Sequence, residues 1–214
     1  MGFDGLIRSI DWEFLESTAA RVLAILLCLT VHETCHGLAA YALGDPTARN
    51  SRRLSLNPLR HIDWLGLAMM LFAGFGWAKP VPVDPRHFKR PKQGMALTAL
   101  AGPASNLLLA LGAVFLSREV YLRGGPDWLG GFLLYSLAPL SIGLGLFNLL
   151  PIPPLDGSKV LGAFLPDRTY FGLMRYERYG MFLLLALSWF GVTGRLISGA
   201  IWRTYLSFVY LFYS

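Results

Sequence analysis

Apolar and polar positions along this 214-residue chain fall into long blocks, not into the two-residue alternation of half-buried strands. Four blocks, approximately 18–43, 95–117, 129–150 and 179–201, reach the roughly 20 apolar residues that a helix needs to cross a bilayer. A fifth block, 64–78, is shorter than a span, and the tail 204–213 is apolar but short. The pattern predicts an all-α polytopic membrane protein, a bundle of about four to six transmembrane helices. No internal repeat and no soluble insert interrupts it. The expectation is a single membrane-embedded domain over 1–214, with a core at about 18–160 and C-terminal helices at about 179–213.

Composition agrees: 54% of residues are hydrophobic, only 15% are charged, and mean hydropathy is +0.48. Soluble domains carry about 25% charged residues. The net charge of +6 does not mark a nucleic-acid partner, because the basic residues sit in short connections between apolar blocks. Arg49, Arg52, Arg53 and Arg60 lie in 44–63, and Lys79, Arg86, Lys89, Arg90 and Lys92 in 79–94. Lys159, Arg168, Arg175 and Arg178 lie in 151–178, whereas 118–128 is balanced. The positive-inside rule therefore predicts 44–94 and 151–178 in the cytoplasm, in a plasma-membrane protein. Both flanks of 64–78 then fall on one side, which makes that block a re-entrant element. Residues 1–16 hold four acids against Arg8, the reverse of a signal-peptide n-region. Cys28 and Cys35 lie two helical turns apart, about 10 Å, too far for a disulfide.

Against this background the stretch LTVHETCHGLAAY, 29–41, stands out. His32 and His36 are four residues apart and share a helix face, so both can ligate one metal ion. Glu33 stands beside the pair, where a carboxylate can take a proton from a metal-bound water. Ionisable side chains inside a span are costly and usually functional. A catalytic zinc takes three protein ligands and leaves one position open, so a third is needed. His61, next to Arg60 and Asp63, reads as interfacial, and His87 lacks ligand spacing. A carboxylate near a membrane face is the better source.

NLLPIPPLDG, 148–157, supplies one: Asp156 lies at a span end, on the same predicted side as the end of the HExxH helix. Pro151, Pro153 and Pro154 hold the backbone extended. Gly157 permits a turn that aims Asp156 inward. Asn148 ends the preceding helix with an amide that can donate to an oxyanion. An Asp before Gly is also a common turn former, so spacing alone leaves its role open.

Taken together, VHETCHG, RLSLNPLRHID, GWAKPVPVDPRHF, LAGPASNLLLA, FNLLPIPPLDGSKVL and YERYG resemble the site-2 protease family of zinc intramembrane metalloproteases. The likeness covers about 31–180 and is to the short prokaryotic branch without PDZ or CBS domains. It implies one zinc held by His32, His36 and Asp156, with Glu33 as base and Asn148 assisting the transition state. It also implies a re-entrant β-like loop at GWAKPVPV beside the active site, and a structural or substrate-facing role for Asn106. Asp84 and His87 stand where asparagine-like residues are expected. Transmembrane proteins or peptides are the implied substrates. Val81 and Val83 are candidates to present an extended edge to an unwound substrate. The competing expectation is a non-proteolytic zinc-binding membrane protein, a transporter or scaffold. Glu33 argues against it, because binding alone needs no base.

Overall fold

The computed structural model describes residues 11–73, 77–175 and 177–214. It is all helical, with no strand among the described residues, and it is that of a polytopic membrane protein. Helix α1, Trp12–Ala42, begins at Asp11, whose side chain accepts from the Phe14 amide at 3.0 Å and so satisfies one orphan N–H of the first turn. It starts six residues before the expected apolar block, because Glu13 and Glu16 are ordinary helix formers that hydropathy discounts. Helix α2, Trp64–Ala73, has ten residues, about 15 Å, half of what a crossing requires.

Helix α3, Pro91–Leu122, starts with proline at its first position, where the missing N–H has no partner to lose. A wider-turned segment, Phe132–Leu137, interrupts α4, Asp127–Asn148. The helices α1, α3 and α4 are long and apolar enough to span. After them come α5, Asp156–Gly162, and α6, Asp167–Arg175. Last are α7, Glu177–Trp189, and α8, Val192–Tyr213. The expected fourth span at 179–201 is not one straight helix: α7 and α8 meet at a 76° bend. Gly191, at φ +67°, turns the chain into the left-handed region, which stops α7 and caps the start of α8. The tail 204–213 belongs to α8.

Packing centres on α3, which contacts α1, α4, α5 and α8. Ala24, Cys28, Ala110, Ala113, Val114, Ala138 and Ile142 form its dry core, most of them small enough for close helix approach. Both cysteines are free.

The segment that follows α2 comes straight back. Residues 77–84 carry no regular secondary structure, so the expected β-like loop forms no strand among the described residues; its first residue, Gly76, lies outside them. A side chain on Gly66 of α2 would sit 2.0 Å from the Trp77 carbonyl oxygen, so the helix and the returning backbone touch directly. Other contacts bind the return to the basic connection 44–63. The Lys79 amide donates to the His61 carbonyl at 3.0 Å, and Arg53 donates to the carbonyls of Lys79 and Pro80 at 2.6 and 3.2 Å. His61 is not interfacial, as the sequence suggested, but buried, donating through Nε2 to the Ser55 carbonyl at 2.7 Å. Its neighbours Arg60 and Asp63 misled, because the chain folds over the ring.

Asp84 and His87 converge on Asp45, just beyond α1. The fully buried Asp45 carboxylate accepts from the amides of Thr47 and Asp84, at 2.9 and 2.8 Å, and from the Thr47 hydroxyl. His87 Nδ1 lies 3.1 Å from it. This knot ties the end of the HExxH helix to the re-entrant loop.

Candidate metal centre

Each ligand candidate is brought to one point by a specific close approach. His32 and His36 lie on the buried face of α1, against α3. Gly102 of α3 makes room for both rings: a Cβ there would lie 2.4 Å from His36 Nε2 and 2.7 Å from His32 Cε1. On the other side, α5 begins at Asp156. The Gly157 backbone presses against the end of α4, where a Cβ would meet the Leu149 oxygen at 2.2 Å. Gly157 therefore serves close contact inside a helix, where the sequence suggested a turn. Gly180 of YERYG plays the same part for α7, which presses on the Pro153 carbonyl, at 1.9 Å from a hypothetical Cβ. Glycines of three motifs thus shape one site.

The result is a triangle of donors. His32 Nε2 and His36 Nε2 lie 3.0 Å apart, and Asp156 Oδ2 lies 3.1 and 3.2 Å from them. A tetrahedral zinc with bonds of about 2.0–2.1 Å separates its ligands by about 3.3–3.4 Å, so the triangle is already near the size zinc demands. Two imidazoles and one carboxylate are also the donor set of a catalytic zinc that keeps a position open. Among the described residues this is the group of His, Cys, Asp and Glu side chains placed to share an ion.

The outer atoms of the two rings are held as well. His36 Nδ1 donates to the Thr98 carbonyl at 2.7 Å, which turns the Nε2 lone pair toward the triangle. His32 Nδ1 faces the Asn106 amide at 3.1 Å. Asn106 is 0% exposed and stands behind His32, away from the cavity, so it is not substrate-facing. Nothing in the AGPASN spacing could show which wall of α3 it occupies.

A cavity of about 440 Å³ opens over the triangle. His32, Glu33, His36 and Asp156 form its polar wall, and Leu29, Met70, Trp77 and Phe147 contribute apolar surface. Val81 and Val83 line it from the returning loop, and Asn148 lines it from the end of α4. Asn148 Nδ2 donates one bond to the Leu144 carbonyl at 3.0 Å. An amide nitrogen carries two hydrogens, so one donor is left for the cavity. Glu33 Oε2 accepts from the Val81 amide at 2.8 Å, an unforeseen contact that joins the carboxylate beside the histidines to the re-entrant backbone. Also missed was Lys159, which lines the cavity with Nζ 3.9 Å from Asp156 Oδ1.

Fold and site together describe a polytopic membrane protein with a candidate metal centre: three donors able to share one ion, an adjacent carboxylate and a cavity. The comparisons narrow the class. A profile described as peptidase family M50 matches residues 128–190. YwhC of Bacillus subtilis (strain 168) is 39% identical over 172 residues, 78% of each chain. Rip2 of Mycolicibacterium smegmatis is 30% identical over 193 residues, 88% of this chain and 70% of its own length. Zinc metalloprotease MJ0392 of Methanocaldococcus jannaschii is 33% identical over 82 residues, 37% of this chain and 22% of its own length. The names of all three assign them to the zinc metalloproteases. No solved structure gives a match. This chain belongs to peptidase family M50, and it is a zinc metalloprotease.

Proposed function

We propose that the chain is a zinc-dependent intramembrane endopeptidase of the site-2 protease type, cleaving transmembrane segments of proteins or peptides. One observation carries this reading: the donor triangle and Glu33 open onto a cavity enclosed by helices long and apolar enough to span. On this reading His32, His36 and Asp156 hold the ion, and the whole chain forms one catalytic unit in the plasma membrane. The basic connections 44–94 and 151–178 support a site nearer the cytoplasm, and the ion pair of Lys92 in the first with Asp167 in the second, at 2.9 Å, agrees with both lying at one end of the bundle.

A zinc ion held by His32, His36 and Asp156 would supply Lewis-acid activation of water and of the scissile carbonyl. Glu33 takes the proton as water adds to the scissile carbonyl, then returns it to the leaving amine. The free N–H of Asn148 donates to the developing oxyanion. A substrate helix bonds its own carbonyls internally and must unwind before attack. Residues 77–84, with Val81 and Val83 lining the cavity, would offer a backbone edge for the opened strand. Irregular backbone at membrane depth is tolerated there because it lines a cavity.

The test is purified protein reconstituted in lipid vesicles with single-span model peptides, the products being read by mass spectrometry. Cleavage within the span, lost in Glu33→Gln, is expected. Cuts confined to water-exposed flanks, or cleavage that survives Glu33→Gln, would refute the proposal.

A further inference from the structure

The two histidines of the triangle are not held alike. A neutral imidazole has one N–H and one lone pair, and binding an ion through Nε2 obliges Nδ1 to carry the proton. His36 meets this demand: its Nδ1–H already has the Thr98 carbonyl as acceptor. His32 Nδ1 has only the Asn106 side chain before it. In the structure that amide turns its NH2 to the ring, so it donates to Nδ1, and His32 Nε2–H faces Asp156 Oδ2 at 3.1 Å. Asn106 Oδ1 meanwhile is buried without a partner. An unpartnered buried carbonyl oxygen costs about 1–3 kcal/mol; turning the amide over would give Oδ1 the ring N–H and leave the NH2 without its present acceptor, so the proton on His32 Nδ1 decides which way the amide faces.

The Asn106 backbone is fixed on the far side. Ser141 of α4 donates to its carbonyl at 2.8 Å, and Gly145 lets α4 lie against it, a Cβ there falling 3.5 Å from Asn106 Cβ. The amide can therefore turn over about its terminal bond without moving the helix. With Oδ1 toward the ring it accepts Nδ1–H, and the His32 Nε2 lone pair points into the triangle. The ring keeps one proton throughout, releasing it at Nε2 and gaining one at Nδ1.

We propose that Asn106 is a positioning residue that sets the tautomer of His32, presenting its NH2 to the ring in the ion-free protein and its carbonyl oxygen once zinc is held. The proposal rests on the zinc reading above and concerns a residue that touches neither ion nor substrate. Partners of this kind typically change metal affinity 10–100-fold.

The experiment uses the full chain in detergent, stripped of metal and titrated with zinc against a competing chelator. Histidine-labelled 15N spectra are taken before and after loading, with the His32 signal assigned by its absence in His32→Gln. Asn106→Leu, similar in shape but without an acceptor, should weaken zinc binding about 10–100-fold. Asn106→Asp, which can accept the same N–H, should stay close to wild type. The His32 ring of wild type should pass from the Nε2–H to the Nδ1–H form on loading. A folded Asn106→Leu that binds zinc like wild type overturns the proposal, as does equal loss in both variants, which would mark mere packing. So does an unchanged His32 tautomer, a measurement on wild type that decides the matter if Asn106→Leu does not fold. A wild type that takes up no zinc overturns the zinc reading with it, whereas zinc in wild type with any of the other results overturns this proposal alone.

Discussion

Gly102→Ala is the sharpest perturbation the site offers. The added methyl would lie 2.4 Å from His36 Nε2, 2.5 Å from its Cε1 and 2.7 Å from His32 Cε1, where ordinary contact begins at 3.4 Å. The His36 ring must therefore retreat by about 1 Å, while a metal site tolerates about 0.2 Å in its ligand distances. Neither ring is free to yield, being held from behind by the Thr98 carbonyl and Asn106. Overpacking of this kind costs about 1–3 kcal/mol of stability, and a misplacement of about 1 Å costs about 100-fold in rate. Gly112→Ala on the same helix is the control, since a Cβ there meets nothing within 4 Å. It should gain up to about 1 kcal/mol from helix propensity and leave the site alone. Zinc titration of metal-stripped protein, with thermal unfolding alongside, reads both. The expected result is at least a 100-fold loss of zinc affinity in folded Gly102→Ala and none in Gly112→Ala. Wild-type zinc affinity in Gly102→Ala would refute the reasoning, because the rings would then not be lodged against α3.

Three further outcomes follow from other contacts. Val81→Pro removes the amide that donates to Glu33 Oε2, so cleavage should fall at least tenfold while zinc content stays unchanged; loss of zinc instead would make the loop a mere support. Gly157→Ala should disrupt the start of α5, because its methyl would overlap the Leu149 carbonyl, and lower zinc content through Asp156; unaltered zinc would contradict the close packing of α5 on α4. Burial raises the pKa of Asp45, but the Thr47 hydroxyl and the Asp84 and Thr47 amides outweigh it and lower it on balance. A lowered carboxyl contributes stability that is complete above its unfolded pKa of about 3.9 and lost as pH falls through the folded value. Thermal unfolding from pH 6 to 3 should therefore show a loss in wild type that is smaller in Asp45→Asn, and parallel curves would contradict the clamp.

Hydropathy alone located α1, α3 and α4, because a bilayer core demands long uncharged helices, and ionisable residues within them are conspicuous for the same reason. His32, Glu33 and His36 were legible on that ground, and Asp156 by its motif. The break at Gly191 was hidden because Phe190 and Val192 keep the block apolar across the bend, and hydropathy does not register backbone direction. The burial of His61 and the site of Asn106 depend on which segments fold over them, which no local pattern encodes. Gly102 was visible only as part of AGPASN, and its purpose emerges once two imidazoles lie against it. Asp84 and His87, odd by resemblance, make sense only beside Asp45, about forty positions earlier in the chain.

The most direct test of the three-ligand centre is elemental analysis of the chelator-free, detergent-purified protein as wild type, Asp156→Ala and Glu33→Gln. One zinc per chain is expected in wild type and in Glu33→Gln, and little in Asp156→Ala, since two histidines alone make an incomplete site. Wild type without zinc, or zinc undiminished when Asp156 is lost, would contradict the triangle of His32, His36 and Asp156 as the metal centre.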